Sequence, residues 1–296
     1  MTGLQKRINN MSLEEKDIQD LKNAVNLLEQ GTITALVTQA VGKPIDYLMD
    51  KLPKGVETKI HDIVEMALHK AADTALWSLD NEPNREASIK TNKLFAAVSG
   101  AVGGAFGFAA IAIELPISTT IMLRSVADVA RSEGFDLDEI DTKQACLEVF
   151  ALGGPSKDDD AVDTAYYATR GFTTKAMQTF SKEMAAIAAA NSATQTVNNK
   201  ITAEQAGKWL STLIEKVAAR FSVVITEKVA AQVVPVVGAF AGATLNTMFT
   251  DYYQDMARGH FIIKRLEKKY DFELIRAEYT KIRSKLKPRK VQGRDS

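Results

Sequence analysis

Two long stretches without a charge govern what this chain can fold into. Residues 94–113 and residues 229–250 contain no Asp, Glu, Lys or Arg. The first run has twenty residues. As a helix it would extend about 30 Å, the hydrocarbon thickness of a bilayer. Gly and Ala dominate both runs, and both hold glycines four apart: Gly100 with Gly104, Gly103 with Gly107, and Gly238 with Gly242. Glycines at that spacing share a helix face and let a second backbone approach closely. Each costs an exposed helix about 1 kcal/mol relative to Ala, so packing must offset it. These six are read as helix-packing glycines. Two environments satisfy them: a bundle core in which the two helices pack together, or a bilayer entered as a hairpin or as single spans. Gly and Ala gain little on transfer to hydrocarbon, and Glu114 and Pro116 close the first run. Buried core helices are therefore the resting-state expectation, and reversible membrane association is expected ahead of permanent spanning.

The rest of the chain reads as helix as well. Ser12-Leu13-Glu14-Glu15 has the form of a capping box, and Ile18, Leu21, Val25 and Leu28 follow at helical spacing to Gly31. Helices are expected from Thr32 to Val41, from Ile45 to Leu52 and from Val56 to Leu79, broken at Gly42-Lys43-Pro44 and at Pro53. The long one carries Ile60, Ile63, Val64, Ala67 and Leu68 on one face. A loop is expected at Asp80 to Asn84, an amphipathic helix from Asp138 to Phe150, and a break at Gly153-Gly154-Pro155. Asp158-Asp159-Asp160 suits a helix start, where the macrodipole favours negative charge. Residues 191–199 read as a loop, and Thr202-Ala203-Glu204-Gln205 opens a helix through Trp209, Leu213 and Val217. Val223-Val224-Ile225 is β-prone but keeps the helical period. No alternating strand pattern emerges, so the fold class is all-α, a multi-helix bundle with two buried Gly/Ala-rich helices. The expected organisation is an N-terminal helix in residues 1–30, a helical domain over 31–286 and a mobile basic tail at 287–296.

Composition limits the chemistry. Lys plus Arg equals Asp plus Glu at 37 each, so net charge gives no argument for nucleic acid, and none is expected as a partner. Basic character is local: residues 264–296 hold twelve Lys or Arg against five Asp or Glu. Lying close to the second apolar run, that segment suits a solvated face or an anionic lipid surface better than nucleic acid. Cys146 is the one cysteine. It fits a buried structural thiol in a reducing compartment. The polar N-terminus lacks a signal-type apolar region, so a cytoplasmic location, peripheral to the membrane, is expected.

Candidate site residues cluster after each apolar run. Thr119, Thr120, Arg124 and Asp128-Val129-Ala130-Arg131 follow the first; Asn246, Thr247, Asp251 and Asp255-Met256-Ala257-Arg258 follow the second. Asp and Arg three apart on a helix can pair, and the shared tetrad hints at an internal repeat. Glu114, Arg124, Asp128, Arg131, Asp251, Asp255, Arg258 and His260 form the candidate polar cluster. Structural ion pairs are the plain reading of them. A metal is not expected; if one were held, Asp128, Asp251, Asp255 and His260 would be its ligands in a hydrolase. No cofactor is expected. The chain has no nucleophile elbow and no phosphate-binding loop.

Several segments together resemble the EcsC family. They are Glu114-Leu115-Pro116 with Thr119-Thr120, Arg124-Ser125-Val126-Ala127-Asp128, Ala145-Cys146-Leu147-Glu148-Val149-Phe150, and Pro235-Val236-Val237-Gly238-Ala239. Asn246, Phe249-Thr250-Asp251, Ala257-Arg258-Gly259-His260-Phe261 and Arg265-Leu266-Glu267 complete the pattern. The resemblance implies a helical fold and a membrane-linked setting, with an ABC transporter component as a partner, and carries over no catalytic residues. The expected function is thus a non-enzymatic membrane-associated or lipid-binding protein, accessory to a transporter or envelope process. The alternatives are the metal-dependent hydrolase and a pore-forming protein whose apolar segments insert.

Overall fold

The computed structural model of the chain describes residues 13–75, 108–153, 166–171, 203–233 and 238–286. Among these residues there is no strand, and the protein is an all-α bundle. Its helices are α1 (Glu15–Leu28), α2 (Ile33–Val41), α3 (Ile45–Met49), α4 (Val56–Ala75), α5 (Phe108–Ser132), α6 (Ile140–Ala151), α7 (Ala203–Val233), α8 (Gly238–Lys269) and α9 (Phe272–Arg283). The chain divides into two compact units. The larger is Gly31–Ala257, and the smaller joins Met1–Gln30 to Arg258–Ser296.

In the larger unit α4 packs against both α5 and α7, and α7 also meets α2, α3 and α6. Local chemistry sets the ends of the short helices. The Thr32 hydroxyl accepts from the Ala35 amide at 3.3 Å to cap α2, and Gly42 closes it at a φ of 68°, a left-handed conformation that favours glycine. On α4 the expected face is buried at Ile60, Val64, Ala67 and Leu68 and extends to Ala71 and Ala72; Ile63 lies half-buried. The α7 helix runs straight through Val223-Val224-Ile225, burying Val224 and Ile225 among Val217, Phe221 and Val229. The β-branched triplet is helical because its neighbours bury a helical face, and propensity yields to that packing. The α6 helix differs from its amphipathic expectation: every residue from Ala145 to Ala151 is buried, Cys146 and Glu148 included. Phe150 stacks on Tyr253 at 5.1 Å and meets the edge of Phe221 at 4.9 Å. Gly153 follows because a Cβ there would lie 3.0 Å from both the Tyr252 ring and the Tyr253 hydroxyl.

The two charge-free runs meet the structure differently. Residues 108–113 of the first begin α5, which continues through Pro116; the ring forgoes one backbone donor there. The second is shared between the end of α7 and the start of α8. Gly238 and Gly242 lie in the first turns of α8. Gly100, Gly103, Gly104 and Gly107 fall outside the described residues, as do Ser12, the loops expected at 80–84 and 191–199, the acidic triplet at 158–160 and the tail at 287–296.

In the smaller unit α1 packs on α9. The start of α1 departs from expectation: it opens at Glu15 with Glu14 as an N-cap that makes no side-chain cap bond. Its buried face is also rotated, with Asp17, Leu21, Ala24 and Val25 inward and Ile18 exposed. The reason is electrostatic. Asp17 accepts from Lys269 at 2.7 Å and from the Tyr270 hydroxyl at 2.6 Å, so a carboxylate occupies a position that an apolar residue was expected to fill. Gly259 permits a close approach by α1: a Cβ there would lie 2.7 Å from Leu28 Cγ and 3.1 Å from the Ala24 carbonyl oxygen. On α9 the Asp271 carboxylate accepts from the Glu273 amide at 2.9 Å, and Glu29 accepts from Tyr279 at 2.7 Å and Arg283 at 3.1 Å.

Candidate functional site

The polar centre of the larger unit is built on Glu114. This residue is the only charge between Lys93 and Arg124, and α5 turns it inward, where it is 6% exposed. A carboxylate in an apolar helix core requires a cation or strong donors to offset lost hydration. Both arrive from other helices. Glu114 Oε1 accepts from Lys228 Nζ of α7 at 3.2 Å and from Asn246 Nδ2 of α8 at 2.8 Å. Lys228 is 1% exposed, and its ammonium lies 5.5 Å from the centre of the Phe249 ring, a favourable cation–π placement. Around them the Ser118 hydroxyl donates to the Leu115 carbonyl at 3.2 Å and the Thr250 hydroxyl to the Asn246 carbonyl at 2.9 Å. Burial by itself pushes the Glu114 carboxyl up. The Lys228 charge and the hydrogen bonds from Asn246 and Lys228 outweigh it and hold Glu114 below its ordinary value.

One residue before Lys228, α7 places a second buried glutamate in the opposite situation. Glu227 accepts from the Thr34 hydroxyl of α2 at 2.6 Å. Burial, with a smaller push from the Asp46 charge, raises its carboxyl above the ordinary value despite the Thr34 bond.

The remaining candidates separate by environment. Asp128 and Arg131 are both buried and form the expected i, i+3 pair on the last turns of α5. Beside them Gln254 of α8 donates to the Ser125 hydroxyl. Arg124 faces solvent, and Asp251 and Asp255 are half-buried on α8. In the smaller unit His260 is fully buried, edge-on to Phe261 at 5.4 Å, while Arg258 is exposed. The two Asp-x-Ala-Arg tetrads therefore sit in unlike surroundings, one buried and one partly exposed, and a repeat role for them is not supported. Among the described residues no three His, Cys, Asp or Glu side chains gather in a way that would hold a metal ion. Asp128, Asp251 and Asp255 do not form such a group, so the carboxylate set of the hydrolase reading is not assembled. Among the same residues no helix is long and apolar enough to cross a membrane.

Glu114 and Asn246, drawn from two of the segments that resembled one family, thus meet inside the larger unit, while Ser125 and Asp128 make separate buried contacts about three to four turns further along α5. The sequence profile of the EcsC protein family matches residues 2–266. This chain belongs to the EcsC protein family. No curated protein and no solved structure matches it. Glu114 and Asn246 lie 132 positions apart in sequence and are joined by one hydrogen bond. Lys228, which completes the site, was not singled out from the sequence. Its signal was present: Glu227 and Lys228 are the only charges between Arg220 and Asp251. Glu114 is the lone acid of the first stretch and Lys228 the lone base of the second, so each is the available opposite charge for the other in the core.

Proposed function

We propose that this EcsC protein is a non-enzymatic, membrane-associated protein that attaches to the bilayer surface and serves an envelope process, with an ABC transporter component as the kind of partner the family resemblance implies. One observation carries the reading. The α5 helix continues the twenty-residue charge-free run and leaves Ile113 71% exposed. An exposed apolar patch beside a long uncharged segment favours contact with something less polar than water. The polar candidates support a non-enzymatic role, because Glu114 is engaged with Lys228 and Asn246, and Asp128 with Arg131, inside the bundle.

The test is co-sedimentation of the full chain with phosphatidylcholine vesicles, with and without phosphatidylglycerol, at low and high salt. Binding to vesicles is expected. Absence of binding to every vesicle would overturn the membrane reading. Release of an entrapped dye on binding would overturn surface attachment in favour of the pore-forming alternative.

A further inference from the structure

We propose that α1 is an autoinhibitory cover: its carboxylates fill two oxyanion clamps on the C-terminal helices of the smaller unit, and an anionic bilayer competes with α1 for the same clamps. The proposal rests on the membrane reading above and adds its lipid class and its regulation. Each clamp joins a cation to a tyrosine. At the end of α8, Lys269 Nζ and the Tyr270 hydroxyl donate to Asp17 Oδ2 at 2.7 and 2.6 Å, and Arg265 Nη2 donates to Asp20 one turn on at 2.9 Å. On α9, the Tyr279 hydroxyl and Arg283 Nε donate to the two oxygens of Glu29 at 2.7 and 3.1 Å. Glu14 adds a further contact to Lys269 at 3.0 Å. Donors so arranged suit a phosphate oxygen as well as a carboxylate.

Charge complementarity identifies both occupants. Residues 264–286 hold eight Lys or Arg against four Asp or Glu. Against that excess α1 and its two caps set four carboxylates, Glu14, Asp17, Asp20 and Glu29. The segment is thus basic in sequence and neutralised in the fold, and a surface of anionic headgroups can take the place of the four carboxylates. The polar half of that exchange is close to even. The Lys269 and Arg283 side chains are 44% and 42% exposed, and ion pairs so exposed contribute little. A lysine or arginine beside an anionic surface gains about as much. Away from a membrane the apolar face holds α1 down. Leu21, Ala24 and Val25 are buried, and Leu28 lies so close to Gly259 that a Cβ there would sit 2.7 Å from Leu28 Cγ. The clamps are therefore open in only a fraction of molecules, and the apparent affinity for the bilayer is lowered by that fraction.

The experiment compares the full-length wild type with Gly259→Ala and Glu29→Gln on phosphatidylcholine vesicles with and without phosphatidylglycerol, and follows α1 by hydrogen exchange. Gly259→Ala wedges α1 outward without changing net charge, and alanine suits the α8 helix itself. Glu29→Gln opens the α9 clamp and serves if Gly259→Ala fails to fold, which circular dichroism and thermal unfolding read. Gly259→Ala should bind phosphatidylglycerol vesicles about fivefold more tightly than wild type, and phosphatidylcholine vesicles no better. Adding Lys269→Ser/Arg283→Ser to it should weaken that binding roughly tenfold. On the bound wild type, α1 amides should exchange faster while α4 amides keep their protection. A variant whose α1 exchanges faster but which binds no more tightly would overturn the cover while leaving membrane attachment standing. A bound wild type whose α1 keeps its protection would do the same. Failure of the wild type and both opened variants to bind any vesicle would overturn the two readings together.

Discussion

Glu114 and Glu227 are two buried glutamates of the same unit, and their surroundings push them in opposite directions. Glu114 has a lysine ammonium at 3.2 Å and an amide donor at 2.8 Å; Glu227 has one hydroxyl donor at 2.6 Å and a neighbouring carboxylate. Burial is the largest single influence on each. What differs is the cation, and one helix supplies both halves of the contrast: α7 aims Lys228 at Glu114 and leaves the preceding Glu227 with Thr34. Burial therefore does not decide what a carboxylate does in this core. The neighbour that offsets it does. The paired glutamate ties α5, α7 and α8 together, whereas the unpaired one is a tolerated cost.

Substitutions can break this contrast, and the largest effect is expected at Lys228. Lys228→Met strands a buried carboxylate and should cost about 3–5 kcal/mol of unfolding free energy at neutral pH, measured by urea denaturation. Glu114→Gln strands the ammonium instead, keeps one side-chain oxygen for Asn246, and should cost roughly 2–4 kcal/mol. The double variant Glu114→Gln/Lys228→Met removes both charges and should cost about 2–3 kcal/mol less than the two single losses summed, which is the coupling that the double-mutant cycle reads. A cycle without coupling would mean that the two groups do not act as a pair. Glu227→Gln is expected to have the opposite sign, stabilising by roughly 1 kcal/mol at neutral pH because an amide keeps the Thr34 contact without a buried charge. Thr34→Val should have a comparably small effect, a loss of about 1 kcal/mol. It should also raise the Glu227 carboxyl further, which titration followed by NMR would detect.

Much of the fold was legible in the sequence, because helical periodicity and breakers are local. The α2, α3 and α4 starts follow from Thr32, Pro44 and the step at Pro53, and the buried face of α4 follows from the spacing of Ile60, Val64, Ala67 and Leu68. The failures share one cause, a tertiary partner that spacing along the chain cannot show. Asp17 faces inward because Lys269 and Tyr270 arrive from more than 250 positions away, so the α1 stripe is rotated from the one that Ile18 implied. In the site, Glu114 stood out as a charge closing an apolar run, and the Asp128–Arg131 pair followed from i, i+3 spacing. Lys228 was passed over because it borders the second run instead of interrupting it. Asp251, Asp255, Arg258 and His260 were grouped by sequence proximity, yet α8 points them to unlike surroundings and carries the last two into the other unit.

The most direct test of the account is the unfolding free energy of wild type, Glu114→Gln and Glu227→Gln across about pH 4 to about pH 8. The Glu114 carboxyl is lowered in the fold, so its stabilising contribution is present above the ordinary carboxylate value and is lost as pH falls through the lowered one. The Glu227 carboxyl is raised, so its penalty is absent below the ordinary value and grows as pH rises through the raised one. At neutral pH the account predicts Glu114→Gln below wild type and Glu227→Gln above it, the Glu227 difference shrinking as pH falls toward the ordinary carboxylate value and the Glu114 difference only below that value. Equal signs for the two substitutions at neutral pH would contradict it.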